Sequence, residues 1–231
     1  MSSNTTGASL LSRNARICMP SFSAFSRQVF RTGMSEARDV LVNCDDVDII
    51  CLEPSGTFGV AQAALRRLVY RDLSRKLVFL NPGVRPVRLT KDYDLFLVHC
   101  NFIEDVWYAN AIQGWRDHCK TSICWIDELW ANRVRDLVNW LPVLNRFGHV
   151  VVGPAGSGRV VGGAIGRPCH EIDAAVDATR FSPFPRPPGR VIDVYSSGRR
   201  CEGIHDRLLR SAKNGTVYAY DTGERPAEHT V

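Results

Sequence analysis

Two apolar runs and the amphipathic stretch between them decide the fold class: DLFLVH at 94–99 and TSICWI at 121–126. Apolar and β-branched runs of this length are typical of buried strands, and residues 102–115 between them have helical spacing. A strand, a crossover helix and a second strand form the unit from which parallel sheets are built. The stretch therefore predicts a βαβ unit.

The same alternation continues on both sides of this unit. Three further strand-like runs lie at 47–52, 77–80 and 149–153, and helical patterns lie at 59–76, 128–147 and 157–165. Repeated βαβ units predict an α/β fold with an open, doubly wound parallel sheet. Ligands of such sheets bind outside the carboxyl ends of the strands.

The first 35 residues differ in composition from the rest. They are rich in Ser, carry four Arg and contain no acidic residue before Glu36. No periodic pattern is present, and the apolar segment and cleavage site of a secretory signal are missing. We therefore expect residues 1–35 to be a disordered tail or an overlong start preceding an initiator at Met34, with the first domain at 36–174.

Composition restricts the class of protein. The 231 residues are 45% hydrophobic and 23% charged, which is typical of a soluble globular chain. No apolar run approaches the roughly 18 residues that a membrane-spanning helix needs. The eight Cys include no C-x-x-C pair, so we expect reduced thiols and a cytoplasmic location.

The net charge of +5 comes mostly from Arg residues spread along the chain. A nucleic-acid-binding arm carries a dense basic block, so we expect no nucleic-acid partner. One helical pattern, at 64–77, is locally basic on one face. It is open whether this face contacts an anionic membrane surface or is simply solvated, so a membrane-peripheral location stays open as well.

Two other motifs lack the residues that their chemistry requires. GPAGSGRV at 153–160 resembles a phosphate-binding loop, but Arg159 and Val160 stand where the loop needs Lys and Ser or Thr. We predict a flexible turn between strand and helix there. The His and Cys residues near 118–124 and 169–170 lack zinc-ligand spacing, so we expect no metal.

Two titratable residues lie at predicted carboxyl ends of neighbouring strands. His99 ends one run and Asp127 directly follows the next. At this edge either side chain could orient or deprotonate a ligand hydroxyl. The alternative for Asp127 is a carboxylate that caps the helix predicted to begin near Leu129.

A second, shorter unit follows a Pro-rich segment at 181–188, which we interpret as a linker. The pattern predicts a strand at 191–195, a turn at 196–200, a helix at 201–213 and a strand at 216–220. In the turn, Gly198, Arg199 and Arg200 precede a helix, whose first amides favour an anion. The turn therefore suits a diphosphate, or is merely solvated.

The segment AVDATRFSP at 175–183 resembles the interdomain "VDxxRFxP" motif of GT-B fold glycosyltransferases of the family-4 type. The similarity continues through RVIDVY at 190–195 and Gly198-Arg199-Arg200. The strand ending at His99 resembles the family's "D-[apolar]-H" strand, whereas Ile126 departs from a family pattern of His-Asp. The motif positions are Asp177, Arg180, Phe181 and Pro183.

This resemblance implies a Rossmann-like acceptor-side domain at 36–174, an interdomain linker at 175–190, and the first βαβ of a nucleotide-sugar domain at 191–231. The implied reaction is a retaining glycosyl transfer from a UDP- or GDP-sugar to an unknown acceptor hydroxyl, without metal or cofactor. Gly198, Arg199 and Arg200 would bind the donor diphosphate, and His99 or Asp127 would face the acceptor.

The family's E-x7-E pair, which contacts the donor, has no counterpart in this sequence. We therefore expect a truncated glycosyltransferase-like protein that is inactive or weakly active alone. The alternative is a non-catalytic Rossmann-like interaction module. Self-association through an exposed apolar edge would favour the module.

Overall fold

The computed structural model describes residues 14–25, 32–71, 74–173, 175, 186, 189–197 and 201–221. The chain forms two compact units. Met1–Ser26 and Arg38–Ala175 make up the first, and Arg27–Ala37 and Val176–Val231 make up the second.

The described residues of the first unit form eight strands: β1 (Ile17–Ser21), β2 (Val47–Cys51), β3 (Val87–Arg88), β4 (Tyr93–Cys100), β5 (Ile112–Gln113), β6 (Cys119–Ile126), β7 (His149–Val152) and β8 (His170–Glu171). Six of them form one parallel sheet in the order β2-β1-β4-β6-β7-β8, and β3 pairs with β5. The predicted α/β fold with a Rossmann-like parallel sheet is confirmed.

Helices connect the strands. The α-helices are α1 (Thr32–Cys44), α2 (Phe58–Tyr70), α3 (Trp115–His118) and α4 (Ser157–Ile165), and the 3-10 helices span Arg75–Phe79, Ile103–Ala111, Ala131–Arg133 and Leu141–Arg146. The helix α4 has the bounds that its sequence pattern predicts. The patterns at 102–115 and 128–147 instead form 3-10 helices and turns, so the long α-helices predicted there are wrong.

The predicted disordered tail is wrong at β1, which lies inside the sheet between β2 and β4. Cys18 and Met19 of this strand are buried. The sequence ICMPS shows no alternation because a strand in the middle of a sheet is covered on both faces. Residues 1–13 and 26–31 lie outside the described residues.

The strand predicted at 77–80 is also wrong, because Arg75–Phe79 is a 3-10 helix. The Ser74 hydroxyl accepts a hydrogen bond from the amide of Lys76 at its start. The side-chain amide of Asn110 donates to the carbonyl oxygens of Val78 and Leu80, at 2.8 and 3.1 Å. A side chain therefore satisfies backbone groups that a neighbouring strand would otherwise bind.

Aromatic side chains build the layer that covers one face of the sheet. Phe96 of β4 stacks on Trp115, with ring centroids 4.8 Å apart, and also on Phe147. Trp107 and Trp140 meet edge to face at 5.0 Å. Each buried aromatic side chain of this size stabilises the fold by about 1.5–3 kcal/mol, and the layer holds β4 and β6 in place.

The strand order reverses direction at β1. The chain passes from β1 to β2 on one side, then crosses to β4 on the other side. The ladder between β1 and β4 covers only Ile17 with Leu95 and Cys18 with Phe96. Pro20, further along β1, has no amide proton for a ladder. Ligands of doubly wound sheets bind at such a switch point.

The second unit contains β9 (Val194–Ser197), α5 (Glu202–Ala212) and β10 (Tyr218–Asp221). The two strands are parallel, and His205 of α5 lies 2.9 Å from the Tyr218 hydroxyl. This is the strand, helix and strand that the sequence predicts, with shifted bounds. Most of the predicted linker at 181–188 lies outside the described residues.

Candidate functional site

His99 and Asp127 meet at the carboxyl edge of the sheet. His99 is paired in register with Trp125, and Asp127 directly follows β6. The Nε2 atom of His99 lies 2.9 Å from Oδ1 of Asp127. The His99 side chain is only 2% exposed, whereas that of Asp127 is 29% exposed. Asp127 is therefore the member of the pair that solvent or a ligand can reach.

The imidazole ring of His99 is held by stacking. It lies against the Trp125 indole with ring centroids 4.2 Å apart and planes inclined by 21°. Because an ionised carboxylate only accepts hydrogen bonds, Nε2 of His99 donates to Oδ1 of Asp127 in this contact. The buried His99 ring therefore orients the Asp127 carboxylate from the interior side.

Two ring nitrogens at this position have no partner. Within the described part of the chain, Nδ1 of His99 and Nε1 of Trp125 are buried without a hydrogen bond. The two residues are cross-strand neighbours, so both side chains lie on one face of the sheet. An unsatisfied buried polar atom costs about 1–3 kcal/mol, and a water molecule or a polar ligand group at this position would remove that cost.

The structure does not show Asp127 as a helix cap. The next helical segment is Ala131–Arg133, whose N-cap is Trp130. The amide of Ala131 instead donates to the hydroxyl of Ser157, at 3.0 Å. The Asp127 carboxylate contacts His99. The alternative prediction, that this carboxylate caps the next helix, is wrong.

The backbone of Asp127 is fixed from two sides. Its amide donates to the carbonyl oxygen of Cys100, at 3.0 Å. Gly153 at the end of β7 approaches so closely that a Cβ there would lie 2.6 Å from the Asp127 carbonyl oxygen. The close approach explains the glycine and sets the position of the carboxylate.

Polar residues that the sequence analysis did not single out share this edge. Asn101, which is buried, follows β4 and donates to the Glu128 carboxylate at 3.4 Å. Ser21 ends β1 and lies 3.1 Å, oxygen to oxygen, from the Ser23 hydroxyl. Asn101 could have been predicted to lie at this edge, because it is a polar residue directly after an apolar run. Ser21 was missed because β1 was assigned to a tail.

The Gly-rich turn before α4 already holds an anion. The Glu171 carboxylate accepts hydrogen bonds from the amides of Gly156 and Gly158, at 3.0 and 2.6 Å. These two bonds lower the pKa of Glu171 below its ordinary value. Gly156 has a φ of +78°, which favours glycine. The protein's own carboxylate thus occupies the place where a phosphate-binding loop binds its ligand.

The remaining predicted site residues lie outside the described residues. They are the three of the proposed diphosphate turn and the four of the interdomain motif: Gly198, Arg199, Arg200, Asp177, Arg180, Phe181 and Pro183. Among the described residues, no group of three or more His, Cys, Asp and Glu side chains could hold a metal ion. No described helix is long and apolar enough to cross a membrane.

Several Cys side chains are unreactive by environment. Burial raises the pKa of both Cys119 and Cys169 to about 11. Burial also raises the pKa of Cys18 and Cys100. Thiols in this state stay protonated near neutral pH and are poor nucleophiles and metal ligands.

Comparison with known proteins adds no relative to this description: a scan against models of protein families, a search of curated proteins and a search of solved structures find no match. The assignment of the fold therefore rests on the strand order and direction in the structure. It is an α/β fold with a parallel sheet, compatible with a Rossmann-like domain, and its candidate site is the His99–Asp127 pair.

Proposed function

We propose that this chain is glycosyltransferase-like, with the first unit binding a hydroxyl acceptor and residues 191–221 belonging to the nucleotide-sugar side. The sequence similarity of residues 175–183 to the GT-B interdomain motif suggests this class. The observation that carries the proposal is the 2.9 Å contact between His99 and Asp127 at the carboxyl edge of the sheet. Both residues lie where doubly wound sheets bind ligands.

In this proposal the two residues have different roles. The partly exposed Asp127 carboxylate accepts a hydrogen bond from the acceptor hydroxyl and takes its proton as the hydroxyl oxygen bonds to the anomeric carbon. The new bond forms on the face from which the bond to the diphosphate breaks, so UDP or GDP leaves and the configuration is retained. His99 is a positioning residue, because it is buried and its Nε2–H holds the carboxylate in place. General-base catalysis of this kind contributes a factor of about 10²–10⁴ to a rate.

Binding and turnover test the proposal separately. Saturation-transfer NMR with a panel of UDP- and GDP-sugars measures donor binding, and release of UDP or GDP in the presence of methyl glycosides measures transfer. We expect donor binding, and we expect Asp127→Asn to leave it unchanged while reducing any acceptor-dependent release about 100-fold. The matched control is Asp136→Asn, which removes an exposed carboxylate paired with Arg133.

Two results would contradict the proposal. The first is that no donor in the panel binds. The second is that the wild type releases UDP or GDP in an acceptor-dependent reaction and Asp127→Asn retains this release to the same extent as Asp136→Asn. A readout that needs no turnover is the imidazole signal of His99 in ¹⁵N-histidine-labelled protein, which should shift when a methyl glycoside is added to the wild type.

A second candidate function, a self-associating module, rests on the apolar surface of the second unit. No residue of α5 is buried, and Ile204 and Leu209 on this helix are exposed. Tyr195 of β9 and nearby Val191 are exposed as well. If this surface pairs with a second copy, light scattering should give a dimer mass that Ile204→Lys reduces to that of a monomer. The matched control is Arg207→Gln, and a monomer at all concentrations would exclude this function.

A further inference from the structure

A cleft of about 490 Å³ lies within the first unit. Its lining residues are Phe79, Arg116, Pro142, Asn145 and Arg146. Arg116 belongs to α3, just before β6 begins, and Arg146 ends a 3-10 helix just before β7. The cleft therefore lies toward the amino-terminal edge of the sheet. Its volume falls in the range of roughly 300–1,000 Å³ that is usual for small-molecule sites.

Two guanidinium groups share one aromatic ring in this cleft. The guanidinium carbon of Arg116 lies 5.3 Å from the Trp115 ring centroid, and that of Arg146 lies 5.8 Å from the same centroid. Arg146 also lies over the Phe79 ring, at 5.9 Å. Stacking of this kind orients the planar groups and limits their motion.

Neither cation has a carboxylate partner. The lining contains no Asp or Glu, and within the described residues neither Arg116 nor Arg146 forms an ion pair. Arg146 donates to the neutral side-chain amide oxygen of Asn110. Burial, together with the positive charge of Arg116, lowers the pKa of Arg146. Two neighbouring positive charges without a counter-ion repel each other, and a bound anion would remove that cost.

We infer that this cleft binds the phosphoryl group of a small molecule between the guanidinium groups of Arg116 and Arg146. A phosphate monoester carries up to two negative charges, and each planar guanidinium can donate two parallel hydrogen bonds to its oxygens. The side-chain amide of Asn145 lies beside this position, and Phe79 and Pro142 supply an apolar wall for the rest of the ligand. The inference is independent of the proposed glycosyl transfer.

Isothermal titration calorimetry with phenyl phosphate and inorganic pyrophosphate tests the inference. We expect both probes to bind the wild type, and we expect Arg116→Gln to weaken binding at least tenfold. Arg116 is exposed, so this substitution should leave the fold intact. The matched control is Arg135→Gln, which removes an exposed positive charge outside the cleft and should change affinity less than twofold.

A second variant and a second readout keep the test informative. Arg146→Lys retains the charge but loses the planar fork, so it should weaken binding less than Arg116→Gln. The indole N–H signal of Trp115 should shift on addition of phenyl phosphate. The inference would be overturned if neither probe binds, if Arg135→Gln weakens binding as much as Arg116→Gln, or if citrate binds as tightly as pyrophosphate.

Discussion

Replacement of Asp48 by Ala should strongly destabilise the first unit. The Asp48 side chain on β2 is 1% exposed, and its Oδ2 atom lies 3.0 Å from Nζ of Lys91 and 2.9 Å from the hydroxyl of Tyr93. It thus joins β2 to the start of β4. Removing the carboxylate leaves the hydroxyl without this acceptor and the ammonium without this counter-charge.

The magnitude follows from these two losses. Breaking a fully buried ion pair costs about 3–5 kcal/mol, but the Lys91 side chain is 25% exposed and can turn partly toward water. Leaving the Tyr93 hydroxyl without this acceptor costs about 1–3 kcal/mol. We therefore expect Asp48→Ala to lower the free energy of unfolding by about 3 kcal/mol. Asp48→Asn should cost about half as much, because the amide oxygen still accepts from Tyr93.

Urea unfolding followed by tryptophan fluorescence measures this change in the first unit alone, since all five Trp residues lie there. The control is Asp136→Asn, whose ion pair with Arg133 is solvent-exposed and should contribute less than about 1 kcal/mol. A loss below about 1 kcal/mol for Asp48→Ala, or an equal loss for the control, would refute the reasoning.

Three further predictions concern other elements. Cys18 in β1 is buried and Cys51 is exposed, so peptide mass spectrometry should show iodoacetamide modifying Cys51 quickly and Cys18 only after unfolding. Backbone amides lower the pKa of Glu171 in the folded protein. The ionised carboxylate therefore stabilises the fold above the ordinary carboxyl pKa, and this stabilisation disappears as the pH falls through the lowered pKa. Glu171→Gln should therefore reduce the decline of melting temperature below about pH 4. Gly153→Ala forces a Cβ against the Asp127 carbonyl and should destabilise the fold by about 1–3 kcal/mol in urea unfolding.

Each of these predictions has an outcome that would contradict it or a control within the chain. Equal modification rates for Cys18 and Cys51 would show that β1 is not part of the sheet. An unchanged acid profile in Glu171→Gln would show that the carboxylate does not stabilise the turn before α4. The control for Gly153→Ala is Gly163→Ala in α4, where a Cβ meets nothing within 4 Å and should be tolerated.

The strands β2, β4, β6 and β7 could be predicted because each is a short apolar run beside a long amphipathic stretch. Their shared direction follows from the crossovers between them, and so does the placement of His99 and Asp127 at one edge. The contact between the two side chains needed one more fact, the register of β4 against β6, which a single sequence does not contain.

The elements that were missed depend on contacts distant in sequence. The run at 77–80 is apolar enough for a strand, but hydrogen bonds from Asn110 hold its carbonyl groups in a 3-10 helix. Within 128–147, Pro142 opens a separate 3-10 helix and interrupts the predicted long helix. The cleft with Arg116 and Arg146 was not predicted, because the two residues are brought together only by the packing of Trp115.

The position of β1 has a consequence for synthesis on the ribosome. β1 precedes both of its sheet neighbours, β2 and β4, in the chain. A nascent chain holding only β1 and β2 would have a two-stranded pair, which is marginal in water. We expect β1 to remain accessible to chaperones and proteases until β4 has emerged and paired with it.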